Sequence, residues 1–147
     1  MFKNCKFINN KRGITVYQRY GPGTPLFLNC LFDNTKAGSA VSINGSPTFI
    51  NCNFQNSTDL KYYGIDLNVP YGGGISVVTG IDKSRPYFYN CLLWGNKDSF
   101  GHHNNVVLYG KVVKADFKNC IIQGDSSTGI VGYDDNKCVK YAYPQVI

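Results

Sequence analysis

The sequence predicts an all-β protein in which short strands coil into a parallel β-helix of about five rungs, with almost no α-helix. The main observation is the phrase Phe-x-Asn-Cys-x-Phe, which occurs, with close variants, at residues 2–7, 27–32, 49–54, 88–93 and 117–122. Such repetition indicates a stacked architecture, because each copy buries its apolar side against the next. The cysteines of successive copies are 25, 22, 39 and 29 residues apart. The shortest separation accommodates three short strands and three turns, and the longer ones add a loop.

Each copy is predicted to bend at its asparagine. In the third copy, Phe49 and Cys52 would point to opposite faces of one flat strand, although both residue types are usually buried. A corner at Asn51 removes this conflict, because asparagine tolerates left-handed backbone angles better than other non-glycine residues. Each copy of the motif is then two short strands that meet at a bend, and its Phe, its Cys and its second Phe all point inward.

The third strand of each rung is expected upstream of the motif. The candidate segments are short, rich in β-branched residues and bounded by turn residues; they are residues 13–17, 39–43, 74–78, 105–109 and 128–132. No stretch has a sustained 3.6-residue apolar period with helix caps. A β-sandwich also has many short strands, but it does not explain five copies of one corner motif.

These motifs resemble those of right-handed parallel β-helix proteins of the pectate-lyase-like superfamily. The phrase is most similar to bacterial secreted and surface proteins with Asn-Cys repeats, such as polymorphic outer-membrane-protein repeats and β-helix domains that precede a C-terminal sorting anchor. Residues 90–96 with 105–109 resemble a late rung, and residues 121–124 with Tyr143 and Pro144 resemble the closing rung. The resemblance implies a right-handed β-helix and an extracellular or cell-surface location in bacteria. It does not select among lyases, hydrolases, adhesins and stalks.

Two columns of identical residues are expected along the stack. Five asparagines are predicted to hydrogen-bond from rung to rung, as buried amides require: Asn4, Asn29, Asn51, Asn90 and Asn119. Five cysteines are predicted to form a buried column of thiols: Cys5, Cys30, Cys52, Cys91 and Cys120. A disulfide between adjacent rungs would be strained. The sequence contains no Cys-x-x-Cys pair, so a zinc site is not expected. Cys138 is assigned outside the repeat, and its redox state stays open.

A single β-helix domain is expected over residues 1–147. No apolar run is long enough for a membrane helix, and no leader sequence precedes the first motif. The first rung begins at Phe2 without a capping segment. The chain is therefore expected to be part of a longer protein or to be capped by a partner, and self-association through the open ends of the β-helix is one way to cap it.

Ligand-binding residues are expected on loops, which carry much of the function of solenoids. The insertion at residues 57–73 contains tyrosines suited to stacking on sugar rings and charged residues suited to orienting hydroxyl groups: Tyr62, Tyr63, Tyr71, Asp59, Asp66 and Lys61. A second loop, at residues 17–25, contributes Tyr17, Arg19 and Tyr20. Alternatively, the tyrosines fold back over apolar surface of the sheet. His102 and His103, on a third loop, are expected to be solvated rather than to bind a metal.

The net charge of +6 favours acidic partners. Acidic polysaccharide and cell-envelope glycan fit better than nucleic acid, because the basic residues form no tract. We expect no cofactor and no metal. The leading hypothesis is a non-catalytic module of a bacterial surface or secreted protein that acts in adhesion, glycan binding, structural spacing or assembly.

The alternative function is a remnant or subunit of a polysaccharide lyase or glycoside hydrolase acting on acidic glycans. Hydrolases of this kind need paired carboxylates, whereas the chain has only nine acidic residues. Convergence of Asp59, Asp66 and Asp82 with Lys61 or Arg85 in one cleft would favour the enzyme.

Overall fold

The computed structural model describes residues 1–11, 13–17, 24–36, 41–58, 73–78, 85–97, 101, 103, 105–109, 115–123, 130–131 and 139–141. These residues contain sixteen short β-strands and no helix. All the observed strand pairs are parallel and lie between successive rungs. The architecture is therefore a parallel β-helix, and the antiparallel β-sandwich is excluded.

The strands form three sheets, and each sheet takes one strand from each rung. The first sheet contains β1 (Phe2–Lys3), β4 (Leu26–Leu28), β7 (Thr48–Ile50), β10 (Tyr87–Tyr89) and β13 (Asp116–Lys118). The second contains β2 (Lys6–Ile8), β5 (Leu31–Asp33), β8 (Asn53–Gln55), β11 (Leu92–Trp94), β14 (Ile121–Gln123) and β16 (Val139–Tyr141). The third contains β3 (Ile14–Tyr17), β6 (Val41–Asn44), β9 (Ile75–Val78), β12 (Val106–Tyr109) and β15 (Ile130–Val131). The five segments predicted as third strands each overlap a strand of the third sheet.

The corner between the first and second sheets has the backbone angle that the sequence predicted. The asparagine of each motif has a positive φ between 51° and 56° at Asn4, Asn29, Asn51, Asn90 and Asn119. From Asn29 onward, Nδ2 of each asparagine donates to Oδ1 of the asparagine in the preceding rung at 3.2–3.3 Å. The predicted rung-to-rung ladder is therefore present, but its side chains are exposed rather than buried. The corner can remain exposed because the left-handed turn directs the asparagine outward while the flanking Phe and Cys point inward.

A second corner follows the second-sheet strand, and the sequence analysis did not identify it. Asn9, Asn34 and Asn56 have φ values of 59°, 53° and 53°, and Gly95 has a φ of 71°. The sequence signal for this corner is an asparagine or a glycine two residues after the last apolar residue of the motif, as in Phe54 and Asn56. This corner starts the turn that leads toward the third sheet.

Two columns of inward-facing rings form the core. In the first sheet, the rings of Phe2, Phe27, Phe49, Phe88 and Phe117 stack with successive centroid separations of 4.9, 4.7, 5.0 and 4.7 Å. In the second sheet, the rings of Phe7, Phe32 and Phe54 stack at 4.9 and 4.7 Å. The column continues with Leu93 and Ile122, which are both 0% exposed. The two columns meet edge to face at 5.3–6.1 Å, a favoured aromatic geometry.

The cysteine column lies between the two aromatic columns. Cys30, Cys52, Cys91 and Cys120 are buried, whereas Cys5 is only half-buried because it belongs to the first rung. All five are thiols rather than disulfides.

A further strand, β16, follows the five rungs and pairs with β14. Val139 is in register with Ile121, and a cysteine precedes each of them in the sequence. The second sheet therefore continues beyond the fifth copy of the motif. Cys138 itself lies outside the described residues.

Candidate functional site on the outer face of the first sheet

The residues that flank each buried phenylalanine point outward from the first sheet and form two columns. The column before the phenylalanines contains Leu26, Thr48, Tyr87 and Asp116. The column after them contains Lys3, Leu28, Ile50, Tyr89 and Lys118. Apolar and aromatic side chains occupy the middle of this face, and charged side chains lie toward its ends.

Tyr87 and Tyr89 are the most distinctive pair on this face. They lie two residues apart on β10, so they point to the same side of the sheet. Their ring centroids are 6.5 Å apart and the ring planes differ by 2°. Both side chains are partly exposed. This pair of parallel, partly exposed rings is called the platform below.

Arg85 lies beside the platform and is oriented by an ion pair. Its Nε donates to Oδ2 of Asp116 at 2.6 Å, and its second guanidinium nitrogen, Nη2, donates to Oδ1 at 3.4 Å. The guanidinium carbon lies 5.6 Å from the centroid of the Tyr87 ring, within the range of a cation–π interaction. The backbone N–H of Arg85 donates to the hydroxyl of Ser46 at 3.1 Å. The cation is therefore held against one edge of the platform.

Lys118 provides a second cation on this face. It occupies the register position next to Tyr89 in the adjacent rung and is exposed. The platform is thus bordered by Arg85 on one side and by Lys118 on the other, and Asp116 offsets part of the Arg85 charge. This combination of aromatic faces and cations suits a flat, hydroxylated and negatively charged ligand.

The loop residues proposed from the sequence cannot be placed relative to this face. Residues outside the described part of the chain are Tyr62, Tyr63, Tyr71, Asp59, Asp66, Lys61, Arg19 and Tyr20. Tyr17 is described only as the last residue of β3, where it pairs in register with Asn44. The sequence analysis did not select Tyr87 and Tyr89, although their spacing on a motif strand was visible.

The residues expected to line the cleft of an enzyme lie partly within the described structure. Asp82, like Asp59 and Asp66, lies outside the described residues, whereas Arg85 is paired with Asp116. The other described aspartate, Asp33, accepts a hydrogen bond from Nδ2 of Asn56 at 3.1 Å and belongs to the second sheet. The two described carboxylates therefore lie on different sheets, and each already has a partner.

A buried polar cluster anchors the segment between Lys97 and Asn105. Asn96 and Asn105 are both 0% exposed. Nδ2 of Asn96 donates to Oδ1 of Asn105 at 2.8 Å and to the carbonyl of Phe54 at 2.8 Å. Nδ1 of His103 is buried and has no hydrogen-bond partner among the residues that the structure describes. The expectation that this histidine is solvated is therefore wrong at that atom. His102 lies outside the described residues. The cluster fixes both ends of the loop.

The environments of the thiols differ along the cysteine column. Burial raises the pKa of Cys30. The neighbouring thiol of Cys91 is the main reason that the pKa of Cys52 is lowered to about 7. The neighbouring thiols of Cys120 and Cys52, followed by burial, raise the pKa of the Cys91 thiol.

Neither a multidentate metal centre nor a membrane helix is present in the part of the chain described above. No three or more His, Cys, Asp or Glu side chains among those residues converge to hold a metal ion. No helix there is long and apolar enough to cross a bilayer.

Comparison with known proteins identifies the family but not the activity. No curated protein and no solved structure shows a significant match to the chain. The family model described as "right handed beta helix region" matches residues 1–141. This match covers nearly the whole chain and agrees with the three parallel sheets. The protein therefore belongs to the right-handed β-helix family.

Proposed function

We propose that this β-helix is a non-catalytic module that binds an acidic glycan across the outer face of its first sheet. The observation that carries the proposal is the pair of nearly parallel, partly exposed rings of Tyr87 and Tyr89. Aromatic rings offer large apolar faces at low entropic cost, and the C–H faces of sugar rings pack well on such surfaces. Two rings side by side provide room for more than one sugar unit.

The charges around the platform support an acidic glycan over a neutral one. Arg85 and Lys118 border the two tyrosines, and Lys3 lies at the far end of the same face. The chain as a whole carries a net charge of +6, which attracts polyanions over longer distances. A carboxylated sugar would place its apolar face on a tyrosine and its carboxylate near a cation.

The described carboxylates support a binding role over a catalytic one. Asp116 is paired with Arg85 and Asp33 with Asn56, so neither is positioned as a partner for the other. Retaining glycosidases need two carboxyl groups about 5 Å apart, and inverting ones need about 6.5–9.5 Å. We place the module outside the cell or on the surface of a bacterium, where acidic polysaccharides and envelope glycans are found. Fractionation of bacterial cells that express the protein tests this location, and recovery in the cytoplasm alone would contradict it.

The binding proposal is tested with a double variant, Tyr87→Ala/Tyr89→Ala, and purified polyuronates. Titration calorimetry should show a loss of affinity of at least about 10-fold, since aromatic contacts of this kind are worth about 1 kcal/mol each. Trp94→Ala is the matched control, because Trp94 is a partly buried aromatic residue on the second sheet. It should leave the affinity unchanged.

Three outcomes would overturn the proposal. Equal loss of affinity in the double variant and in Trp94→Ala would show that the platform is not the binding surface. Equal affinity of the protein for a neutral polymer of the same length would remove the role of charge. Turnover of a polyuronate by the unmodified protein would establish the enzyme alternative.

We also propose that the first rung associates with a second copy of the chain. The strands β1, β2 and β3 each lie at the end of their sheet within the described structure, and Phe2 is 45% exposed. A strand edge with exposed apolar residues favours pairing with another strand. Light scattering should show a concentration-dependent dimer that Phe2→Lys abolishes. Ile121→Lys, at an exposed apolar site in the fifth rung, should leave it intact. A monomer at all concentrations would disprove this association.

A further inference from the structure

The cysteine column is a cluster of metal-ligating groups that the proposed glycan site does not use. It contains five thiols, of which four are buried in the core and one, Cys5, is half-buried at the first rung. A buried cysteine is often only a small apolar residue. What distinguishes this column is the regular orientation of its sulfur atoms.

The sulfur atoms of successive rungs contact equivalent backbone carbonyls. In every copy, Sγ donates to the carbonyl two residues earlier, at 3.3–3.4 Å. In the four buried copies, Sγ also lies 3.5–3.8 Å from the carbonyl of the phenylalanine in the preceding rung. The five side chains therefore have the same conformation, and adjacent sulfur atoms are related by the translation from one rung to the next.

That translation is the spacing of neighbouring strands, about 4.8 Å. The aromatic rings on either side of the column repeat at 4.7–5.0 Å, in agreement with this value. A metal–thiolate bond is about 2.3 Å long, so a linear S–metal–S unit spans about 4.6 Å. The separation is too long for a relaxed disulfide, whose Cβ atoms lie about 3.8 Å apart. It matches a metal ion held between two stacked thiolates.

We propose that adjacent thiols of the column bind a soft, two-coordinate d10 metal ion along the axis of the β-helix. Two thiols are enough for this geometry, so it does not require three converging ligands. Soft thiolate ligands select soft ions, and a tetrahedral ion such as Zn²⁺ lacks the four ligands it needs.

The charge of the core favours one form of the complex. Two thiols and Hg²⁺ give a neutral S–Hg–S unit and release two protons to solvent. Two thiols and Cu⁺ or Ag⁺ also release two protons but leave one negative charge in an apolar core, which is costly without a partner. Divalent mercury is therefore the probe that fits this site best. The half-buried Cys5 is the point of entry from the first rung.

The arrangement predicts a defined stoichiometry. Five stacked thiols contain two adjacent pairs that do not share a member, so the folded protein should take up about two Hg²⁺ ions. The protein used is the Cys138→Ala variant, so that the remaining thiol of the chain does not contribute. Native mass spectrometry measures the stoichiometry, and X-ray absorption measures the number of sulfur neighbours and their distance from mercury.

Two variants with the same number of thiols test whether metal affinity depends on two thiols being neighbours or only on how many thiols are present. Cys30→Ala/Cys91→Ala leaves Cys5, Cys52 and Cys120, of which no two are neighbours. Cys30→Ala/Cys52→Ala leaves Cys91 and Cys120 as one adjacent pair. In competition with a small dithiol, the first variant should bind at least about 100-fold more weakly than the second, because it loses the second attachment point. The second variant should retain one ion.

The expected result is two sulfur neighbours at about 2.3 Å, a higher Tm in the presence of Hg²⁺ and no comparable effect of Zn²⁺. Equal binding by the two variants, three or four sulfur neighbours, or an unchanged Tm would overturn the proposal. Far-ultraviolet circular dichroism verifies that each variant is folded. If the first variant does not fold, the sulfur count and the Tm of the Cys138→Ala protein still decide the question. The glycan proposal is unaffected by any of these results.

Discussion

The first and third rungs contain the same six-residue phrase but differ greatly in burial. Phe49 is 0% exposed, whereas its equivalent Phe2 is 45% exposed. Cys52 is buried and Cys5 is half-buried. The third rung is covered by a rung on each side, whereas the first rung is covered on one side only. The motif therefore fixes the direction of each side chain, while the neighbouring rungs determine how much its burial contributes to stability.

Truncation of the stacked phenylalanines should give the largest difference between the two rungs. Phe49→Ala should reduce the free energy of unfolding by about 3–5 kcal/mol, because it removes a ring that is stacked on both faces. Phe2→Ala should cost less than about half of that, since one face of its ring already meets solvent. Urea denaturation followed by circular dichroism measures both. Equal losses would show that stability does not depend on enclosure by neighbouring rungs.

The corner asparagines test the same comparison at a smaller scale. Asn51 has a φ of 53°; its Nδ2 donates to Asn29 at 3.3 Å and its Oδ1 accepts from Asn90 at 3.2 Å. Asn4 has a similar φ, but its side chain bonds only in the direction of Asn29 in the described structure.

Asn51→Ala should therefore cost about 2–3 kcal/mol, from backbone strain and two lost hydrogen bonds, and Asn4→Ala about 1–2 kcal/mol. Asn51→Gly separates the two causes, because glycine removes the strain and leaves only the lost hydrogen bonds. If Asn51→Gly is as unstable as Asn51→Ala, the left-handed angle is not the cause of the loss.

Those two comparisons also define what could be predicted from the sequence. The repeated spacing of Phe49, Asn51 and Cys52 was enough to predict the corner, the inward direction of the side chains and the parallel stack. The exposure of Asn51 was not predictable from the motif alone, because it depends on how sharply the chain turns outward. The second corner was missed because its signal, Asn56 in one rung and Gly95 in the next, combines two residue types that share only a tolerance of positive φ.

The candidate site was less predictable than the fold. The sequence analysis gave priority to tyrosines in the longest loop and placed the motif strands in the structural core. Only the strand register shows that Tyr87 and Tyr89 lie on one outer face next to Asp116 and Lys118. Asp116 and Lys118 belong to the next rung. Each lies 29 positions after the tyrosine with which it pairs. A sequence without an assigned register does not bring them together.

The fourth rung differs from the first three at the second corner, which provides a third test. Gly95 has a φ of 71°, and a Cβ at this position would lie 2.7 Å from Oδ1 of Asn56. Gly95→Ala should cost about 1–2 kcal/mol from the left-handed angle. Gly95→Asn should cost less, because asparagine occupies this corner in the first three rungs and the contacting amide of Asn56 can move. Thermal unfolding of the two variants measures the difference, and greater stability of the alanine variant would contradict it.

The smallest expected effect on stability is at the ion pair of Arg85 and Asp116, whose side chains are 55% and 34% exposed. Arg85→Gln and Asp116→Asn should each change the free energy of unfolding by less than about 1 kcal/mol, and high salt should remove the difference. Their effects on binding should be opposite, since the first variant removes a cation from the platform and the second removes the anion that offsets it. Arg85→Gln should weaken binding of a polyuronate, and Asp116→Asn should strengthen it at low ionic strength. Both substitutions disrupt the same ion pair. If the pair only orients the face, each variant should bind the polyuronate more weakly. Weaker binding by both variants would therefore show that Arg85 does not contact the glycan.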